Sequence, residues 1–192
     1  MTLLGPYLPG ADATATSSSF SEGGSLYALG IINAGMGSAR GVESYLREKL
    51  KASSNEVVQH GACLGLGVAG MASQSQGMFI QSFIHACLIR YPDAYDDLKT
   101  TLYTDSAVAS EAAGYAMGLV KLGSASEESA DEMLVYAHET QHEKIIRGLA
   151  VGIAFIYYGK QEQADMMIAR LLADKVCRSL SPPFLCLYFI FH

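Results

Sequence analysis

The chain has 192 residues, of which 50% are apolar and 17% are charged, with a formal net charge of −6. This length allows one domain with a substantial core, and the acidic balance disfavours a nucleic-acid surface, which needs clustered Lys and Arg. We expect no membrane contact, because the sequence shows neither a secretory signal nor an apolar run near the ~20 residues of a spanning helix.

The first segment, residues 1–20, is rich in Gly, Pro, Ser and Thr and is predicted to be irregular. Between residues 21 and 175 a pattern of small residues then recurs four times, with Gly or Ala at relative positions 0, 4, 6 and 11. The third members of successive copies are 37, 51 and 36 residues apart. A period of roughly 20–50 residues is typical of repeat arrays. The first and third members of the four copies are the proposed structural repeat positions: Gly24, Gly30, Gly61, Gly67, Ala112, Gly118, Gly148 and Ala154.

Each copy predicts two helices joined by a turn that contains Gly. Gly inside a helix costs about 1 kcal/mol relative to Ala, so several Gly in one helix are tolerable only where a neighbouring helix approaches closely. We therefore predict an all-α solenoid, or an arc of a closed ring, with the first helices in an inner row and the amphipathic second helices in an outer row.

In each copy of the pattern, the first helix is predicted to start at the residue that stands twelve positions before the third small residue. These residues are Ser18, Asn55, Ser106 and His142. Three of the four are residue types favoured at helix N-caps.

Two stretches do not follow the repeat: residues 77–92 account for the long middle step, and residues 176–192 form a divergent tail. Both are interpreted as sequence foreign to the array, such as translated intron. The alternative is a genuine binding insertion followed by a capping strand. A surface loop can lengthen at little entropic cost, so the array could accommodate the first stretch.

One segment has the form of a zinc-protease motif, with His138, Glu139 and His142 in the order HETQH and Glu162 downstream as a third ligand. Such a site needs both His on one continuous helix. The repeat instead places His142 at a helix start, and the two residues after it are charged. We therefore predict no metal site here, and a structural turn between repeats. Nothing else in the chain has the spacing of a catalytic or cofactor site.

Four segments of the chain resemble the proteasome/cyclosome repeat family. They read GGSLYALGIINAG, GACLGLGVAG, SEAAGYAMGLVKLGS and YAHETQHEKIIRGLAVGIAFIYYGKQEQAD, and the resemblance covers residues 6–76 and 93–175. Such repeats occur in the two largest non-ATPase subunits of the proteasome regulatory particle and in the large scaffold subunit of the anaphase-promoting complex. The match suggests a fragment of about four repeats.

The resemblance implies a non-catalytic scaffold without cofactors, in which helical hairpins close into a toroid around axial helices. It implies the ATPase ring, the lid and ubiquitin receptors as partners, support of ubiquitin-dependent degradation, and a location in cytoplasm and nucleus. Two alternatives remain from the residues themselves: a zinc-dependent hydrolase acting through the HETQH segment, and a free-standing helical-repeat adaptor.

Overall fold

The computed structural model describes residues 7–9, 18–36, 41–71 and 93–173, and within these ranges it contains eight α-helices and no strand. The predicted all-α fold is confirmed. The helices are α1 (Ser19–Ile32), α2 (Val42–Ala52), α3 (Glu56–Ala69), α4 (Asp93–Leu102), α5 (Ala109–Val120), α6 (Glu127–Glu139), α7 (Glu143–Ile156) and α8 (Gln161–Ala173).

The helices form the two predicted rows. Helices α1, α3, α5 and α7 make the inner row, in which each packs along the next. The outer helices α2, α4 and α6 lie against α3, α5 and α7, so each outer helix packs on the inner helix of the following repeat. The apolar residues of the outer helices fill the space between the rows, and their fully buried members include Leu46, Leu98, Leu102 and Met133.

Neighbouring inner helices touch backbone to backbone at the small residues. The third small member of one helix faces the second member of the next, in the pairs Gly30–Gly65, Gly67–Ala116 and Gly118–Gly152. A Cβ atom built on Gly67 would lie 2.6 Å from the Cα of Ala116, and one built on Gly30 or Gly118 would overlap the opposing glycine. The same register therefore recurs at all three junctions, and it leaves no room for a side chain at these glycines.

The first small member of an inner helix faces the preceding helix. A Cβ atom on Gly148 would lie 2.5 Å from the carbonyl oxygen of Glu111, and one on Gly61 would overlap Gly23. Gly24, the equivalent repeat position of α1, makes no such contact among the described residues, since no atom outside its own stretch of helix lies within 4 Å of the place of its Cβ. The reason is that no described helix precedes α1.

The turn glycines serve a different purpose from the packing glycines. Gly35 and Gly123 have φ angles of +64° and +66°, in the left-handed region that favours Gly. Their N–H groups donate to the carbonyl oxygens of Val68 and Phe155, each at 3.0 Å. These acceptors lie in the last turn of the next inner helix, where carbonyls have no partner within the helix. Each such turn therefore caps the helix of the following repeat.

Three of the four predicted helix starts are confirmed by side-chain caps, because Ser18 accepts from Ser21 N at 3.2 Å, Asn55 from Val57 N at 2.9 Å and Ser106 from Ala109 N at 3.3 Å. The carbonyl oxygen of Ser106 also accepts from Ser110 N at 2.8 Å, although the regular part of α5 begins only at Ala109, after a turn at residues 107–108. His142 is the N-cap residue of α7, but its side chain makes no capping hydrogen bond.

The described residues reach only some of the predicted domain boundaries. Helix α1 begins at Ser19, two residues inside the predicted irregular segment 1–20. The suspected insertion at residues 77–92 and the divergent tail at residues 176–192 lie outside the described residues. None of the described helices is long and apolar enough to cross a membrane.

The backbone contact at Gly118 predicts that one methyl group is enough to disturb the array. We expect Gly118→Ala to lower the free energy of unfolding by about 1–3 kcal/mol, because the new Cβ meets the backbone of Gly152. Gly24→Ala is the matched control. It changes the same residue type inside an inner helix where space is open, and we expect a gain of about 0.5–1 kcal/mol from helix propensity. Urea denaturation followed by circular dichroism measures both, and equal effects at the two positions would contradict the packing scheme.

Candidate functional site: an apolar face on the inner row

The side of the inner row that points away from the outer row carries a repeated pair of apolar residues. In each inner helix, the two residues of the pair stand three and seven positions after the first residue of the repeated small-residue pattern. Its eight residues, called the inner face from here on, are Tyr27, Ile31, Leu64, Val68, Tyr115, Leu119, Val151 and Phe155. Every one is at least partly exposed, and Tyr27 and Ile31 are 38% and 51% exposed.

Helix geometry explains why these residues line up. Residues four apart lie on one side of a helix with 3.6 residues per turn. In α1 the neighbouring Gly30 faces α3, while Leu26 and Leu29 are buried in the core. Tyr27 and Ile31 therefore occupy the remaining side of the helix. Because the other inner helices repeat the register, the four pairs form one continuous strip.

The chemistry of the inner face is that of a protein-binding surface. None of its eight residues is charged, and Tyr27, Tyr115 and Phe155 supply large aromatic surfaces. Contiguous exposed apolar patches on soluble proteins mark interaction sites, and buried aromatic side chains contribute much of the energy of binding. The arrangement can hold an apolar partner surface, and the ionisable groups among its eight residues are the phenols of Tyr27 and Tyr115, the second of which donates a hydrogen bond to Glu111 Oε1 at 3.2 Å.

The HETQH segment lies elsewhere, at the junction of α6 and α7. Helix α6 ends at Glu139, and Thr140 and His142 have extended backbones with ψ angles of 147° and 107° before α7 begins at Glu143. His138 and His142 are therefore on two different helices, as the repeat register predicted. In the part of the chain that the structure describes, no cluster of three or more His, Cys, Asp or Glu could hold a metal ion.

The HETQH segment has a structural role at the junction of α6 and α7. Asp105, in the turn between α4 and α5, accepts hydrogen bonds from the Thr140 hydroxyl at 2.7 Å and the Tyr136 hydroxyl at 3.0 Å. The Nε2 atom of His142 lies 3.7 Å from the other carboxylate oxygen of Asp105. This junction ties the turn of one repeat to the turn of the next. Its members are more than thirty residues apart in sequence, so the local pattern gave no signal for it.

Burial raises the pKa of several tyrosines and of one cysteine thiol, and two of these groups bear on the site. The thiol of Cys63 is fully buried, and desolvation raises its pKa to about 12, which keeps it protonated and unreactive at neutral pH. Desolvation, together with the hydrogen bond to Asp105, also raises the pKa of Tyr136 to about 12. Cys63 is thus a free thiol that serves as part of the core.

A polar cleft of about 330 Å³ opens between α4 and α6 on the outer row. Tyr95, Lys99, Lys121 and Glu132 are among its lining residues. Lys99 forms an ion pair with Glu132, and the ammonium group of Lys121 lies 5.0 Å from the centre of the Tyr95 ring. Small-molecule sites are mostly apolar with a few polar groups. This cleft is instead a charged gap between two helices.

Comparison with known proteins places the geometry in a family context. Residues 112–146, which run from α5 through α6 into α7, match the family model described as Proteasome/cyclosome repeat. The chain is 50% identical over 174 residues to 26S proteasome non-ATPase regulatory subunit 1 homolog B of Arabidopsis thaliana, and 51% identical over 174 residues to 26S proteasome regulatory subunit rpn2 of Schizosaccharomyces pombe. It is 45% identical over 175 residues to 26S proteasome non-ATPase regulatory subunit 1 of Drosophila melanogaster. Each match covers 91% of this chain but only 15–16% of the relative, so the chain spans about one sixth of their length.

The buried hydroxyl of Tyr136 predicts an alkaline weakening of the fold. Because its pKa is raised in the folded chain, its contribution to stability is complete below pH 10 and is lost as the pH rises through about 12. We expect Tyr136→Phe to lower the free energy of unfolding at neutral pH by about 1–3 kcal/mol, since the Asp105 junction loses a donor. We also expect a shallower loss of stability between pH 10 and 12. Urea denaturation across this range measures both effects.

The matched control for this prediction is Tyr158→Phe, which removes a hydroxyl from a side chain that is 55% exposed. We expect it to leave the stability curve unchanged. An identical curve for Tyr136→Phe and the wild-type chain would show that the junction contributes nothing.

Proposed function

Because this chain carries a proteasome/cyclosome repeat within a row of equivalent hairpins, we propose that it is a non-catalytic scaffold segment of the proteasome regulatory particle. In this role it organises partner subunits and supports ubiquitin-dependent protein degradation. The observation that carries the proposal is the inner face, a strip of eight partly exposed apolar residues at equivalent positions of four helices. Its relatives, which are regulatory subunits of the 26S proteasome, support it.

The packing of the inner row suits a scaffold. Backbone contacts such as Gly30–Gly65 and Gly118–Gly152 leave no side-chain freedom at the helix junctions. The inner face is therefore presented in a shape that is largely fixed before a partner arrives, which lowers the entropic cost of binding. An enzyme needs reactive groups held together, whereas this surface offers shape and apolar area.

The partners follow from the resemblance to the family. We propose the ATPase ring, the lid and ubiquitin receptors as the proteins held in place, and cytoplasm and nucleus as the location. The inner face best fits an apolar helical segment, since its strip of side chains runs across the axes of four parallel-packed helices. A free-standing adaptor would use the same face for proteins outside the proteasome.

A matched pair of substitutions tests the role of the inner face. The full chain, tagged and expressed in cells, is expected to co-purify with ATPase-ring or lid subunits identified by mass spectrometry. Val68→Asp places a charge on the inner face, and burying a Val side chain is worth about 1.5–3 kcal/mol, so we expect recovery to fall by about tenfold or more. Val135→Asp makes the same change on the outer row, where the side chain is 59% exposed, and should leave recovery unchanged.

Both variants must keep the wild-type melting temperature for the comparison to count. If Val68→Asp and Val135→Asp recover equal amounts of the ring and lid subunits, the inner face is not the binding surface. A wild-type chain that recovers neither ring nor lid subunits would overturn the scaffold proposal in favour of a free-standing adaptor.

Metal analysis tests the alternative of zinc-dependent hydrolysis. Since His138 and His142 lie on different helices, we expect the purified chain to hold no stoichiometric zinc. Zinc bound at one equivalent, and lost in His138→Ala, would overturn the non-catalytic proposal.

A further inference from the structure

The outer helices are joined by charged side chains at each step along the row. Between α2 and α4, Asp97 binds both Arg47, with Nε and Oδ2 2.6 Å apart, and Lys51, with Nζ and Oδ1 2.9 Å apart. Between α4 and α6, Lys99 pairs with Glu132. Between α6 and α8, Arg170 pairs with Asp131. These contacts are called the outer ion pairs from here on.

The inner row is joined in a different way. Its helices meet by backbone contact at Gly30–Gly65, Gly67–Ala116 and Gly118–Gly152, which cannot come closer. The outer helices α2 and α4 make only slight backbone contact with each other, compared with α1 and α3. Each pair of hairpins thus has a hard contact on the inner side and long charged side chains on the outer side.

Open space separates the outer helices. The cleft of about 330 Å³ lies between α4 and α6, and a second cleft of about 200 Å³ lies between α6 and α8, where Asp131 and Arg170 are among the lining residues. Because these gaps are solvent-accessible, close packing between the outer helices does not fix the spacing of α4 with α6 or of α6 with α8. The inner helices lack that freedom.

We propose that the inner contacts act as pivots and the outer ion pairs act as straps that set the curvature of the array. Weakening the straps lets the outer helices separate, while the inner spacing stays constant. The straps respond to ionic strength because their side chains are partly exposed: 14% for Asp97, 28% for Glu132 and 50% for Asp131. Screening acts most on exposed charges, so the junction of α6 with α8 is the first to loosen. This device is independent of which partner the array holds.

Distance measurements between spin labels test the device in the full chain. One label pair spans the outer row at Ser44 in α2 and Asp165 in α8, and the second spans the inner row at Ile32 and Tyr158; all four residues are exposed. Labels are attached through non-natural amino acids, so that the native cysteines stay intact. Double electron–electron resonance is recorded at ionic strengths of about 0.1 M and about 1 M, where the Debye length falls from about 10 Å to about 3 Å.

We expect the outer distance to lengthen by several ångströms at the higher ionic strength and the inner distance to stay the same. The double variant Asp131→Asn, Glu132→Gln should show a longer outer distance already at low ionic strength and should respond to salt much less than the wild-type chain does, through the Asp97 pairs alone. Glu128→Gln is the matched control, because it removes a carboxylate from the same helix without touching either strap. It should respond as the wild-type chain does.

A charge swap distinguishes the loss of an ion pair from unfolding of the variant. Lys99→Glu combined with Glu132→Lys rebuilds the pair with reversed polarity and should restore the short outer distance at low ionic strength. The proposal would be overturned if the outer distance in the wild-type chain did not change with ionic strength. It would also be overturned if the inner distance did change.

Discussion

Backbone-to-backbone contact between neighbouring inner helices is the constraint on which the rest of the structure depends. A helix axis can come this close to its neighbour only where neither residue has a side chain in the way, as at Gly30 with Gly65 and Gly118 with Gly152. The intrinsic penalty of Gly in a helix is offset by the dispersion contacts that close packing creates. Because the same register recurs at three junctions, one packing geometry between neighbouring helices accounts for the whole inner row.

This constraint also decides which surfaces remain available. Small residues turn two sides of each inner helix towards its neighbours, and the outer helices cover a third side. The side that is left carries the inner face, whose pairs run from Tyr27 and Ile31 in α1 to Val151 and Phe155 in α7. A surface that is apolar and held by rigid contacts suits the binding of other proteins, and the relatives of this chain are subunits of a large assembly.

Rigid and adjustable contacts are divided between the two rows. Steric contact fixes the inner spacing, whereas ion pairs such as Arg47–Asp97 bridge outer helices that water can reach. Turn glycines add a third kind of link, because the Gly35 and Gly123 N–H groups cap the next inner helix. Under our proposal, this division keeps the inner face in place and confines changes of shape to the outer row.

The sequence by itself determined the helical class, the two rows, the helix starts at Ser18 and Asn55, and the break in the HETQH segment. These features depend on local periodicity and capping chemistry, which a repeat displays several times over. Only the tertiary structure decided that, among the described residues, Gly24 meets no neighbouring helix while Gly23 meets Val57, and that Asp105 joins Thr140 and Tyr136. Each of these depends on which neighbour a residue meets in three dimensions, and a contact between residues far apart in the chain leaves no local pattern to read.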